Sequence, residues 1–176
     1  MAGLALTFST TVFAIDGPKL GRPAKPEEVK AVDMSIPPDG AGLPAGQGTA
    51  KQGAVVFMRQ CAACHGEKGE GKISDRLVGG AGTLTSSQPV KTVGSYWPWA
   101  TTLFDYIRRA MPFPAPLSLK DEEVYAITAY ILNLNGVIGE NDVINAQTLP
   151  KVKMPNRDGF VADPRPDVGG KAGKRN

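Results

Sequence analysis

Cys61-Ala62-Ala63-Cys64-His65 is the stretch on which the reading of this chain turns. The pattern is C-x-x-C-H, the attachment sequence for c-type haem. Its spacing has a physical reason. Two cysteines three residues apart on a helical turn present both thiols to the two vinyl groups along one porphyrin edge. The histidine directly after them reaches under the ring to bind iron. A free redox dithiol is the competing use of C-x-x-C, but it belongs with a βαβ pattern that the flanking sequence lacks. Cys61 and Cys64 are the only cysteines and His65 the only histidine in 176 residues. A zinc site usually takes four such ligands, so the inventory excludes one. It excludes a disulfide framework, bis-histidine ligation and a second c-type haem within this chain as well.

With His65 on one side of the iron, the sixth ligand is methionine, lysine, another donor or nothing. Met1 belongs to an apolar leader, Met34 to a proline-rich arm, and Met58 stands on the wrong side of the attachment turn. Met111 follows a helical stretch and precedes Pro112 and Pro114, a rigid turn suited to holding a thioether. It lies far enough beyond His65 to bring the chain round to the opposite haem face. Met154-Pro155 is the rival, and an open sixth position is the third possibility. A methionine is by default a filler of irregular core gaps, but an open haem face asks for a ligand, and Met111 is the favoured one. Trp97 and Trp99 bracket Pro98. Their indole N–H groups suit haem propionates, and ordinary core aromatics are the equal alternative. Arg108 and Arg109 have the charge to neutralise propionates, against the alternative of a solvated helix face. Lys68, Lys72 and Lys91 are candidates for the rim of an exposed haem edge.

Outward from the motif the pattern is helical. Thr49 to Gln60 starts at a capping residue and sets Gly53, Val56, Phe57 and Gln60 on one face. Ala100 to Ala110 aligns Leu103, Phe104, Ile107 and Ala110, and Pro112 stops it. Leu119 to Asn135 aligns Val124, Ile127, Thr128, Ile131 and Leu134, with Gly136 where a C-terminal cap belongs. Asp121, Glu122 and Glu123 suit the positive end of that helix. No strand alternation of useful length appears. The expectation is an all-α core of three to five helices around one covalent haem, linked by long glycine-rich loops.

The flanks differ in texture. Ten of the fifteen prolines fall outside residues 49–136, which limits regular structure there. Residues 15–48 read as an extended N-terminal arm with one short helix at Pro26 to Val32, 49–149 as the haem domain, and 150–176 as an extended C-terminal tail. The arms either wrap the core or dock elsewhere. Residues 1–14 read as the apolar region and cleavage site of an export signal, without its basic start; a short buried segment is the alternative. The net charge of +3 is concentrated in residues 151–176, which hold seven basic and three acidic groups. A nucleic-acid binder carries its basic stripe on the folded part, so nucleic acid is excluded as a partner. No apolar run approaches the ~18–20 residues of a spanning helix, which excludes a membrane span in the mature chain.

Gly53-x-x-x-Phe57 before C-x-x-C-H, then Met111-Pro112, then Ala129-Tyr130-Ile131, resembles a class I cytochrome c. More specifically, Gly79 to Leu84, Pro89 to Pro98 and Ala100 to Pro112 resemble the SoxD-type cytochrome c subunits of sulfane and sulfite dehydrogenases. So do Leu20 to Ala24, Pro38-Asp39-Gly40 and Met154 to Phe160 in the arms. The resemblance implies the class I cytochrome c fold, in which the first and last helices cross at the glycine and aromatic positions. It also implies a periplasmic haem subunit, not an enzyme by itself, that takes single electrons from a SoxC-like molybdenum-cofactor subunit. A downstream cytochrome c is the acceptor. The arms, on this reading, are a docking surface for the catalytic subunit. A freely diffusing electron shuttle is the first alternative, and a five-coordinate ligand-binding haem protein the second. Lys120 stands where relatives carry a Ser or Thr helix cap. No proline lies between His65 and Pro89, so a carbonyl near Leu77 to Gly80 is expected to hold the proximal imidazole.

Overall fold

The structure is a computed structural model that describes residues 20–163. The export segment read at 1–14 lies outside them, as does the end of the tail. The chain divides into two units, at Asp33 and Met34. In the first, helix α1 (Pro26–Val32) starts with proline at its first position, and Glu28 accepts from the Lys25 backbone N–H at 2.8 Å. Arg22 grips the same carboxylate through two hydrogen bonds. None of the α1 side chains is buried.

The second unit contains α2 (Ala50–Gln60), α3 (Ala62–His65), α4 (Ala100–Ala110), α5 (Asp121–Leu134) and a short 3-10 helix (Leu149–Lys151). Strands β1 (Gln47–Gly48) and β2 (Ile144–Asn145) form one antiparallel two-residue ladder. Thr49 caps α2 reciprocally: its hydroxyl accepts from the Gln52 N–H, and the Gln52 side chain accepts from the Thr49 N–H at 2.9 Å. The helix then crosses α5 at Gly53, where a Cβ would stand 1.9 Å from the Ala126 carbonyl oxygen. Only glycine lets the two backbones approach this closely. One turn on, Phe57 meets Tyr130 with ring centroids 5.1 Å apart. Helix α4 packs on α5 through Phe104 and Tyr125, 4.4 Å apart.

The faces expected for α4 and α5 are buried at Leu103, Phe104 and Ile107, and at Val124, Ile127, Thr128 and Ile131. Two details differ. Gln60 is exposed, because α2 gives way at Cys61 to the attachment turn. Helix α5 is buried on nearly every side, with Tyr125, Ala126, Ala129 and Leu132 as inaccessible as its expected face, since α2, α4 and both strands surround it. It begins at Asp121. A lysine side chain has no acceptor, so Lys120 caps through its backbone alone: its N–H donates to Glu123 at 3.0 Å and its carbonyl accepts from the Val124 N–H at 3.0 Å. Gly136 ends the helix at φ 68°, the left-handed turn expected of it.

Both flanks of the second unit wrap its helices. Ile36 is buried and donates its N–H to Asp105 at 3.0 Å, and the Tyr125 hydroxyl donates to the Pro44 carbonyl at 2.9 Å. On the C-terminal side Leu149 and Met154 are enclosed in the core, and Asn156 donates to the Tyr96 carbonyl at 2.7 Å. No helix among the described residues is long and apolar enough to cross a membrane.

Candidate haem-attachment site

Cys61 closes α2 and opens α3, so the two helices meet at the first thiol. The single turn of α3 carries Cys64 and His65 and stops at Gly66, whose φ of 83° no side chain tolerates comfortably. Both cysteines are free thiols and half-buried. Burial, and secondarily the neighbouring Cys64, pushes the Cys61 thiol up to about 11, so it stays protonated at neutral pH.

After Gly66 the backbone folds back on the motif. Ile73 and Ser74 both donate to the Cys64 carbonyl at 3.0 Å, and Gly71 donates to the His65 carbonyl at 2.7 Å. This return brings the Asp75 carbonyl to 2.8 Å from His65 Nδ1. The holding carbonyl is thus Asp75, two residues before the stretch expected to supply it. A carbonyl only accepts, so Nδ1 carries the proton and Nε2 keeps its lone pair for a metal. Asp75 had no legible signal, because a backbone acceptor is selected by the path of its loop.

Met111 is half-buried at the end of α4 and packs against the core shared with Cys61, Leu77 and Trp97. Met154 is enclosed within that core at 2% exposure, whereas Met58 is exposed on α2. Trp97 is half-buried and stands edge-on to Tyr106 at 6.0 Å. Trp99 lies under the Arg157 guanidinium. Arg108 and Arg109 each meet a carboxylate: Arg108 pairs with Asp121 at 3.1 Å, and Arg109 pairs through two bonds with Asp105. Lys91 sits 5.0 Å above the Tyr96 ring.

The donor set fits a c-type haem. Two unpaired thiols lie one turn apart, the imidazole is oriented through Nδ1, and a thioether packs against the same apolar core. The comparisons agree. The family model for cytochrome c matches residues 50–135, from the start of α2 to the end of α5. The chain belongs to the cytochrome c family, and its cofactor is covalently bound haem c, with Cys61 and Cys64 matching the attachment pattern. Within that family it is similar to a chain of the sulfane dehydrogenase SoxCD from Paracoccus pantotrophus. Identity there is 43%, covering 84% of this chain and 73% of that one, with a TM-score of 0.76. The as-isolated thiosulfate dehydrogenase TsdBA from Marichromatium purpuratum matches 48% of this chain and 17% of that one at 24% identity and a TM-score of 0.37, too slight a likeness to argue from. No curated protein matches the chain.

Proposed function

We propose that this chain is the haem subunit of a molybdenum-dependent sulfane or sulfite dehydrogenase in the periplasm. It takes single electrons from a SoxC-like subunit and passes them to a downstream cytochrome c. The observation that carries the reading is the extent of the SoxCD likeness. It covers 84% of 176 residues, well beyond the cytochrome c module at 50–135. A likeness confined to the haem module would support only generic electron transfer.

Bound haem supplies a one-electron iron couple, and the protein sets its potential and access. His65 would hold the iron through Nε2 while the Asp75 carbonyl holds Nδ1. Met111 would supply its thioether to the iron, a soft donor that favours the reduced state. Trp97 and Trp99 would offer their indole N–H groups to its propionates. Residues 49–149 form the haem domain, 15–48 and 150–176 the arms, and 1–14 the export signal. The chain performs no sulfur chemistry by itself.

Reconstitution tests this. The oxidised holoprotein, mixed with the molybdenum subunit and a sulfane or sulfite substrate, is expected to develop the absorption bands of reduced haem. Each single omission is expected to leave it oxidised. Reduction by the substrate without the molybdenum subunit, or no reduction with all components present, would overturn the assignment.

A further inference from the structure

Helix α5 ends in a side chain that reaches the loop holding the proximal histidine. Asn135 donates from Nδ2 to the Leu77 carbonyl at 3.2 Å and accepts at Oδ1 from the Gly79 N–H at 3.2 Å. The same Nδ2 donates to the Ile131 carbonyl at 2.9 Å, which fixes the amide to its own helix. Gly94 packs against this amide so closely that a Cβ there would fall 2.2 Å from Oδ1. The rotamer is therefore held from two sides.

The loop it grips needs holding. Residues 72–76 are all exposed, and Asp75, whose carbonyl bonds His65, lies among them. On the motif side the loop is tied by Cys64, which accepts from Ile73 and Ser74, and by Gly69, which accepts from Leu77 and Val78. Its outgoing end, Leu77 to Gly79, is fastened to the helical core by Asn135, with Thr92 Oγ1 donating to the Gly79 carbonyl at 2.6 Å. No proline stiffens the chain between His65 and Pro89. A proline would restrict the loop through its own φ; here a distant helix side chain supplies the restraint instead.

We propose that Asn135 is a positioning residue for His65, fixing the Asp75 carbonyl through the Leu77–Gly79 backbone and so tuning the electron donation of the imidazole to iron. This rests on His65 being the proximal ligand. A hydrogen bond from Nδ1–H to a carbonyl raises the basicity of the imidazole, and a more basic ligand stabilises the oxidised metal. Loosening the carbonyl therefore raises the midpoint potential, opposite in sign to removing a thioether.

The test uses the holoprotein with Asn135→Leu, which removes the two bonds to the loop, and the one to Ile131, at similar volume, and Asn135→Asp, which keeps only the acceptor for Gly79. Asn135→Asp keeps the test decisive if the leucine variant does not fold. Two quantities are read: the midpoint potential, and the solvent exchange rate of the His65 Nδ1 proton by NMR. The potential is expected to rise, shifting the ferrous/ferric equilibrium up to about tenfold (~59 mV for one electron). Exchange is expected to quicken by a similar factor, with Asn135→Asp intermediate. A lower melting temperature with both quantities unchanged would make Asn135 a helix cap alone and overturn the proposal. Wild-type His65 ring signals without the large shifts of an iron ligand would instead sink the ligation reading, and this proposal with it.

Discussion

Replacing Met111 by alanine removes a half-buried thioether at the end of α4, and replacing Met154 removes one enclosed in the core at 2% exposure. Met111→Ala should let the reduced protein bind carbon monoxide and should lower its midpoint. Met154→Ala should change neither and should cost about 2–5 kcal/mol of stability, read by denaturant unfolding, because it leaves a core cavity. Carbon monoxide binding in the second variant alone would reverse the two roles. Tyr125 offers a test of burial. Its hydroxyl bonds Pro44, and burial, with Asp121 adding to it, pushes its titration up to about 12. The folded state thus keeps a proton that the unfolded state releases near pH 10. Stability is fully present below pH 10 and falls as pH rises from about 10 to 12. Tyr125→Phe should flatten that alkaline decline and cost about 1 kcal/mol at neutral pH from the lost bond; an unchanged alkaline slope would count against it. At this scale the attachment residues were legible because their chemistry is written in adjacent positions. The Asp75 carbonyl and the Asn135 amide were not, since both act through the path of a loop.

The helices were the most readable elements, and the reason is periodicity over eleven residues or more in α2, α4 and α5. Their mutual packing was less so. Nothing in the spacing of α5 announces burial on nearly every side, which depends on how many neighbours surround it. The pairing of Arg108 with Asp121 likewise joins two helices whose meeting the periodicity left open, whereas Arg109 and Asp105 are an i,i+4 pair that helical spacing itself brings together. The α2–α5 crossing has one point without tolerance. Gly53→Ala places a methyl 1.9 Å from a backbone oxygen of α5, so the helices must separate rather than a side chain rotate. The variant should give little folded holoprotein when expressed with haem-attachment machinery, measured as covalent haem per polypeptide. A wild-type yield and melting temperature would mean that the crossing yields more readily than its geometry indicates.

At the scale of the whole molecule, the proline-rich flanks read as arms, with wrapping and external docking both open. In the second unit, Ile36 and Met154 are core residues, and Asn156 and Arg157 engage Tyr96 and Trp99. Deleting residues 151–176 should therefore lower the melting temperature markedly, because it takes Met154 out of the core. A truncated protein as stable as wild type would leave the tail only a docking role. The electron-transfer class was legible from five residues, whereas the partner is a property of surfaces that no local motif encodes. The central claim is that this haem protein works bound to a molybdenum dehydrogenase subunit. Affinity purification of the tagged chain from its native cells, with molybdenum analysis and mass spectrometry of the eluate, tests it most directly. The account predicts molybdenum and one large co-eluting subunit in fixed ratio to haem. Haem protein recovered alone, without molybdenum at any salt concentration, would contradict it.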